Sequence, residues 1–114
     1  MLPKIHRLKK DQEFRKIYHF GERIKSDFFI LKHLQNKFSH SRFGFVIPAK
    51  VMKKAVARNS LKRRLTEIIR LNLEKIKTSY DIVILVHSFL EPEEKNLKEK
   101  IIKLLKKANL YIND

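Results

Sequence analysis

Tyr80-Asp81-Ile82-Val83-Ile84-Leu85-Val86 is the stretch on which the fold turns. From Ile82 to Val86 it is apolar without a break and mostly β-branched. A strand with one wet face alternates apolar and polar residues, whereas a strand covered on both faces does not. The run therefore predicts a central strand, with other strands beside it and helices packed across the sheet.

Working upstream, Leu61, Leu65, Ile68, Ile69, Leu73 and Ile76 recur at helical spacing and predict a helix over about 59–76. Arg63 and Arg70 lie seven residues apart, close to two turns, and point away from that apolar stripe. Before it, Phe43, Phe45 and Ile47 alternate with Gly44 and Val46 in a strand over 42–47. Pro48 ends that strand because it has no N–H for a ladder. A strand–helix–strand crossover from Ile47 to Tyr80 follows. Residues 23–35 read as one strand centred on Phe28, Phe29, Ile30 and Leu31, and 36–41 as a polar turn. Asp11 is placed to cap a helix running to about Phe20 and stopped by Gly21, with Phe14, Ile17 and Tyr18 on one face.

Downstream, Pro92 suits the first turn of a last helix, and Glu93 and Glu94 favour its N-terminus. Leu97, Ile101, Leu104 and Leu105 form its buried face, and Lys103, Lys106 and Lys107 favour its C-terminal end. The predicted order is α-β-β-(β)-α-β-α. This is an α+β domain with a single mixed sheet of about four strands and three helices. A chain of 114 residues, 43% apolar with eight Phe, supports one core, and two Gly and three Pro leave no flexible linker. One domain over 1–114 is expected, with 1–7 as a flexible N-terminal segment.

Charge points to function. Lys and Arg number 27 against 12 Asp and Glu, a formal charge of +15. The excess is concentrated in Lys50 to Leu65, where seven of sixteen residues are Lys or Arg and none is acidic. Such a block repels itself in water and suits phosphates, although a basic run is also a common solvated helix face. A membrane-surface role would need an exposed apolar face beside the charges, and the apolar stripes here are used by the core. No apolar span reaches the roughly 20 residues a bilayer requires. No h-region follows the basic N-terminus, and cysteine is absent. A reducing, cytoplasmic setting is the expectation, with no membrane partner.

An autonomous active site is not expected. A metal-dependent nuclease needs clustered carboxylates. Asp11, Glu13, Glu22 and Asp27 lack metal-ligand spacing, and Glu91, Glu93 and Glu94 are better explained as a helix start. His6, His19, His33, His40 and His87 are dispersed, and His87-Ser88 makes no nucleophilic triad. No catalytic residue and no metal ligand is assigned. Binding features are richer. Phe14 and Tyr18 lie among Lys9, Lys10, Arg15, Lys16 and His19, an interleaving that suits single-stranded nucleic acid, since rings stack on bases while cations take phosphates. From spacing alone, both rings read rather as core. Phe28, Phe43 and Phe45 read as core.

Gly44-Phe45-Val46-Ile47-Pro48-Ala49-Lys50, followed by Ala55-Val56-Ala57-Arg58-Asn59-Ser60-Leu61-Lys62-Arg63, resembles the bacterial ribonuclease P protein component. So does Leu8-Lys9-Lys10-Asp11-Gln12-Glu13-Phe14 with Tyr18 and Gly21, and the resemblance runs from about Leu8 to Leu110. It implies the small protein subunit of a ribonucleoprotein that removes the 5′ leader of precursor tRNA, with the active site and its Mg²⁺ held mainly by the RNA. It also implies a left-handed β-α-β crossover, against the usual hand. The family's Arg-Asn-Arg motif falls on Arg58, Asn59 and Ser60 and implies contact with the catalytic RNA. Lys50, Lys53, Lys54, Arg58, Asn59, Lys62, Arg63 and Arg64 are the expected RNA-subunit face. Phe14 and Tyr18, with Lys10 and Arg15, are the expected cleft for the precursor tRNA leader. Three positions depart from the pattern: Ser60 replaces the second Arg of the motif, Thr66 stands where a basic residue is often found, and Ala49 stands where the first of two Lys is usual. Phosphate binding tolerates relocated charge, so Lys53, Lys54, Arg63 and Arg64 can compensate. The alternative is a ribosomal or RNA-chaperone-like binding protein with no catalytic assembly, which need not combine an Arg-Asn motif with an aromatic first helix.

Overall fold

In the computed structural model, which describes residues 2–88, 91 and 94–112, the sheet is ordered β1-β2-β4-β3. The elements are α1 (Asp11–Phe20), β1 (Glu22–Lys25), β2 (Phe29–Gln35), β3 (Arg42–Val46), α2 (Ala55–Leu71), β4 (Tyr80–Val86) and α3 (Leu97–Lys107). Strand β4 is central, antiparallel to β2 and parallel to β3, as its unbroken apolar run predicts. Helix α2 is the crossover between the parallel pair. Phe29, Leu31, Phe43, Phe45, Ile82, Ile84 and Val86 join Leu61, Leu65 and Ile69 of α2 and Leu97, Ile101, Leu104 and Leu105 of α3 in the main core. The other sheet face carries a smaller cluster of Leu8, Ile17 and Val83, with Phe14, Leu34 and Val46 packed against it.

Four boundaries differ from the sequence reading by more than one residue. The single strand over 23–35 is two: the chain turns at Ser26, whose N–H donates to Phe29 O at 2.8 Å, and β1 pairs back on β2. Helix α2 begins at Ala55 rather than Asn59: alanine, here Ala55 and Ala57, is the strongest helix former, and the Arg58 guanidinium secures the preceding turn by donating to Met52 O and Lys53 O, each at 2.9 Å. It ends at Leu71 rather than Ile76. Asn72 Nδ2 donates back to Ile68 O at 2.7 Å, and Leu73–Lys75 form a 3-10 turn. Helix α3 begins at Leu97, so Glu94 precedes it; the expected first-turn residues Pro92 and Glu93 lie outside the described residues.

The segment expected to be loose is packed from residue 2 onward. Leu2 is 2% exposed, Lys4–His6 form a 3-10 turn, His6 Nδ1 lies 2.8 Å from Ser41 O, and Arg7 bridges to Phe43 beside β3.

Two glycines place α1 on the sheet. A Cβ at Gly21 would meet Ile17 O at 2.5 Å and His33 O at 2.9 Å, so only glycine lets α1 run straight into β1. A Cβ at Gly44 would meet Phe14 Cε1 at 2.5 Å, so the bare backbone of β3 seats the Phe14 ring. Glu13 secures the start of the helix. Its carboxylate accepts the N–H groups of Lys9 and Lys10 at 3.0 and 2.9 Å and pairs with Arg42. Arg42 in turn donates in bidentate fashion to buried Asp81, from Nε at 2.9 Å and Nη2 at 2.7 Å. One guanidinium thereby ties α1 to β3 and β4.

Candidate nucleic-acid interfaces

Helix α2 buries Leu61, Leu65 and Ile69, which turns the intervening positions outward. Lys62, Arg63 and Asn59 are exposed, as are Lys50, Lys53 and Lys54 ahead of the helix. Six of the eight residues expected on the RNA-subunit face therefore stand free to meet phosphates. The other two have structural tasks. Arg58 holds the Met52 and Lys53 carbonyls, and Arg64 is half-buried with Nη2 donating to Glu94 O at 2.5 Å. Arg7, Asn59, Ser60, Lys62, Arg63, Thr66 and Glu67 line an open groove of about 790 Å³ along this face. Thr66, which is neutral, donates its hydroxyl back to Lys62 O at 2.8 Å. Arg7 is a member that spacing along α2 could not reveal. It arrives from the N-terminal segment, and its Nε is buried without a hydrogen bond.

The second site lies between α1 and the open face of the sheet. Tyr18 is 40% exposed and walls a cavity of about 210 Å³ with Ile30, Val83 and Leu85 as its floor and Arg23 and Lys32 at its rim. Lys32 Nζ donates to Tyr18 O at 3.1 Å and stands 5.4 Å from the centre of the Tyr18 ring. Burial raises the Tyr18 pKa above its ordinary value, so the phenol remains a neutral donor. Phe14 sits one turn earlier, ring centres 6.4 Å apart, but it is half-buried against Gly44 and the smaller core cluster. The two aromatics are thus unequal: Phe14 is chiefly packing, and Tyr18 offers the ring. Arg15 is exposed on α1. Lys10 is not at this cleft; it lines a separate pocket with Lys4, Arg7, Phe38, His40 and Arg42. Arg23 and Lys32, absent from the sequence-based set, face each other across β1 and β2.

The ionisable groups divide in the same way. Burial opposes charge on Glu13, yet the Lys10 and Lys9 amides and the Arg42 guanidinium outweigh it and hold its pKa below the ordinary carboxylate value. The bonds to Asp81 raise Arg42 further, so the clasp stays charged. Burial lowers the pKa of His33, only partly offset by Glu22, whose carboxylate is 3.5 Å from Nε2. Among the described residues no three His, Asp or Glu side chains gather as a protein-held metal would need. None of the described helices is long and apolar enough to cross a membrane.

A sheet with α2 and α3 on one face and α1 across part of the other, a lysine- and arginine-lined helix, and a separate cleft with an aromatic wall together define an α+β domain of the kind that suits nucleic-acid phosphates. Comparison with known proteins narrows the class. The Ribonuclease P family model matches residues 2–109. The ribonuclease P protein component of Alkaliphilus oremlandii is 37% identical over 107 residues, 93% of each chain. That of Fusobacterium nucleatum is 39% identical over 98 residues, 86% of this chain and 87% of its own. The solved Staphylococcus aureus RNase P protein superposes with a TM-score of 0.83 at 26% identity, over 93% of this chain and 97% of that one. The Thermotoga maritima RNase P protein gives 0.66 at 32% identity, over 83% and 79%. The chain belongs to the ribonuclease P protein family and is a protein subunit of ribonuclease P.

Proposed function

We propose that this subunit grips the ribonuclease P RNA with the basic face of α2 and holds the single-stranded 5′ leader of precursor tRNA in the cleft walled by Tyr18. Catalysis resides in the RNA, which holds the Mg²⁺; among the described residues the acids and histidines are too dispersed to suit a protein-bound ion. The protein's contribution is position and charge. Its lysines and arginines lower phosphate repulsion, so the RNA folds and binds its ions more readily, and the leader is held to one path. Such a complex works in the cytoplasm. The ribosomal or RNA-chaperone alternative is not favoured, because it gives no reason for the family match.

The observation that carries the leader assignment is the half-exposed Tyr18 ring over an apolar floor with Arg23 and Lys32 beside it. A base stacked on a ring is worth about 1–3 kcal/mol. Tyr18→Ala should weaken binding of precursor by that amount, leave mature tRNA binding nearly unchanged, and cost little stability. Equal losses for precursor and mature tRNA, or a large fall in melting temperature, would refute the assignment.

A further inference from the structure

A second groove with the same chemistry as the cleft lies across the edge of the sheet. It runs between α3 and the β1–β2 turn, holds about 190 Å³, and is lined by Ser26, Phe28, Lys100, Lys103, Leu104 and Lys107. Phe28 is half-buried, with Lys100 Nζ 5.8 Å from its ring centre. Ring, apolar floor and ammonium groups recur here as they do around Tyr18. Helix α3 carries five Lys and one Glu between Leu97 and Lys107. A favourable helix dipole accounts for lysines in the last turn, but Lys100 and Lys103 stand earlier. Lysines on an edge strand deter aggregation, which explains Lys25 and says nothing of α3.

The two grooves are joined by a short path. Arg23 borders the Tyr18 cleft, and Lys25, two residues on, shares its sheet face. Ser26 is the next residue and already borders the second groove. Lys107 reaches from α3 to donate to Lys25 O at 2.8 Å, which fixes the end of α3 against this edge. Strand β1 has only four residues and, among the described residues, no strand outside it, so none of the described strands blocks the way.

We infer that the groove between α3 and the β1–β2 turn is a second subsite for the same RNA strand. It takes 5′-distal leader nucleotides after they leave the Tyr18 cleft over Arg23 and Lys25, with phosphates on Lys103 and Lys107, and on Lys100 in exchange for the Glu94 carboxylate 3.6 Å from its Nζ, and with one base against Phe28. This rests on the leader assignment above. It means that long leaders are held more tightly than short ones, by groups on the opposite side of the sheet from the cleft.

The test uses the protein assembled with its RNA subunit and precursors whose leaders lengthen one nucleotide at a time. Wild-type affinity should rise in two stages. Lys100→Gln/Lys103→Gln should follow the first stage and then stay flat, several-fold weaker on long leaders. Its salt dependence on those leaders should fall by about 0.7 in log–log slope for each single-strand phosphate that the variant no longer neutralises. Lys103→Gln alone is the control for folding, since that side chain is exposed, and should give part of the same loss. Equal loss at every leader length would mean that the lysines bind the RNA subunit instead, and no loss at any length would mean that they are a solvated face; either result overturns the inference. The two assignments fail separately. A first stage insensitive to Tyr18→Ala sinks the cleft assignment, and a second stage insensitive to Lys103→Gln sinks this one.

Discussion

Gly44→Ala perturbs the packing that sets the height of α1 over the sheet. Gly44 has no left-handed backbone requirement, so alanine brings no dihedral strain, and in mid-strand it favours the fold by about 0.5–1 kcal/mol over glycine. Against this, the added Cβ would stand 2.5 Å from Phe14 Cε1 and 2.6 Å from Cζ. Carbon atoms that touch prefer about 3.5–4.0 Å, so the ring must retreat by about 1 Å or swing outward. Overpacking of this kind costs about 1–3 kcal/mol. The clash exceeds the backbone gain, and a net loss of about 1–2 kcal/mol is expected. The ring cannot retreat alone, because Leu8, Ile17 and Val83 pack with it; α1 should lift and carry Tyr18 with it. Urea unfolding measures the effect on stability, and precursor affinity relative to mature tRNA measures the effect on the site. Phe14→Leu should relieve the clash, so the double variant should be less destabilised than the two single changes added together. An unchanged unfolding midpoint for Gly44→Ala, or strictly additive losses in the double variant, would refute the argument that the Phe14 ring rests on bare backbone.

Arg42→Met should destabilise by about 3 kcal/mol or more, because it strands the buried Asp81 carboxylate, and adding Asp81→Asn should recover part of that loss in the same urea assay. Stability should fall on acidification: folded His33 resists the proton that the unfolded chain accepts below about pH 6.5, and His33→Gln should flatten that limb of a pH series of unfolding midpoints. Glu13 acts in the same direction at lower pH. Its folded pKa is depressed, so its contribution is present above the ordinary carboxylate value and lost as pH falls through the folded one, and Glu13→Gln should remove that second limb. Ser60→Arg adds a cation to the groove beside Arg63 and should steepen the salt dependence of RNA-subunit binding by roughly 1 in log–log slope, while Arg63→Ala should flatten it by a similar amount.

What could be read from the linear chain was whatever a period encodes. Ile82–Val86 announces a central strand because burial on both faces removes alternation, and Leu61, Leu65 and Ile69 announce the buried side of α2 because three to four residues return to one face. The hairpin at Ser26 was illegible for want of a glycine or proline: its turn rests on one Ser26–Phe29 backbone bond, and Phe28-Phe29-Ile30-Leu31 hides the break in a continuous apolar run. The cleft was half legible. Phe14 and Tyr18 share a helical face, but Arg23 and Lys32 meet through strand register, which no local spacing records. Lys10 failed to join them because it precedes α1 and faces another pocket. Arg7 could not be found at all from α2, since it reaches the basic groove from the far end of the chain.

The placement of acids explains how a chain of charge +15 folds while leaving its binding faces basic. Glu13 and Asp81 are consumed by Arg42, Glu67 by Arg70, Glu22 lies against His33, and Glu94 lies 3.6 Å from Lys100. Each of these carboxylates has a structural neighbour; from Lys50 to Leu65 there is none to spare, because the sequence contains none. The repulsion stored in that block is not relieved within the chain. On the proposed function its relief comes from a polyanion, which would make binding strongly salt-dependent and nearly indifferent to base sequence. Selectivity must then come from elsewhere. On the proposed reading, the feature that distinguishes a strand with exposed bases from a closed duplex is an exposed ring; Phe20 and Phe38 are also exposed, but Tyr18, held at its height by Gly44 and at its position by the Arg42 clasp, is the exposed ring that stands over the apolar floor of the cleft.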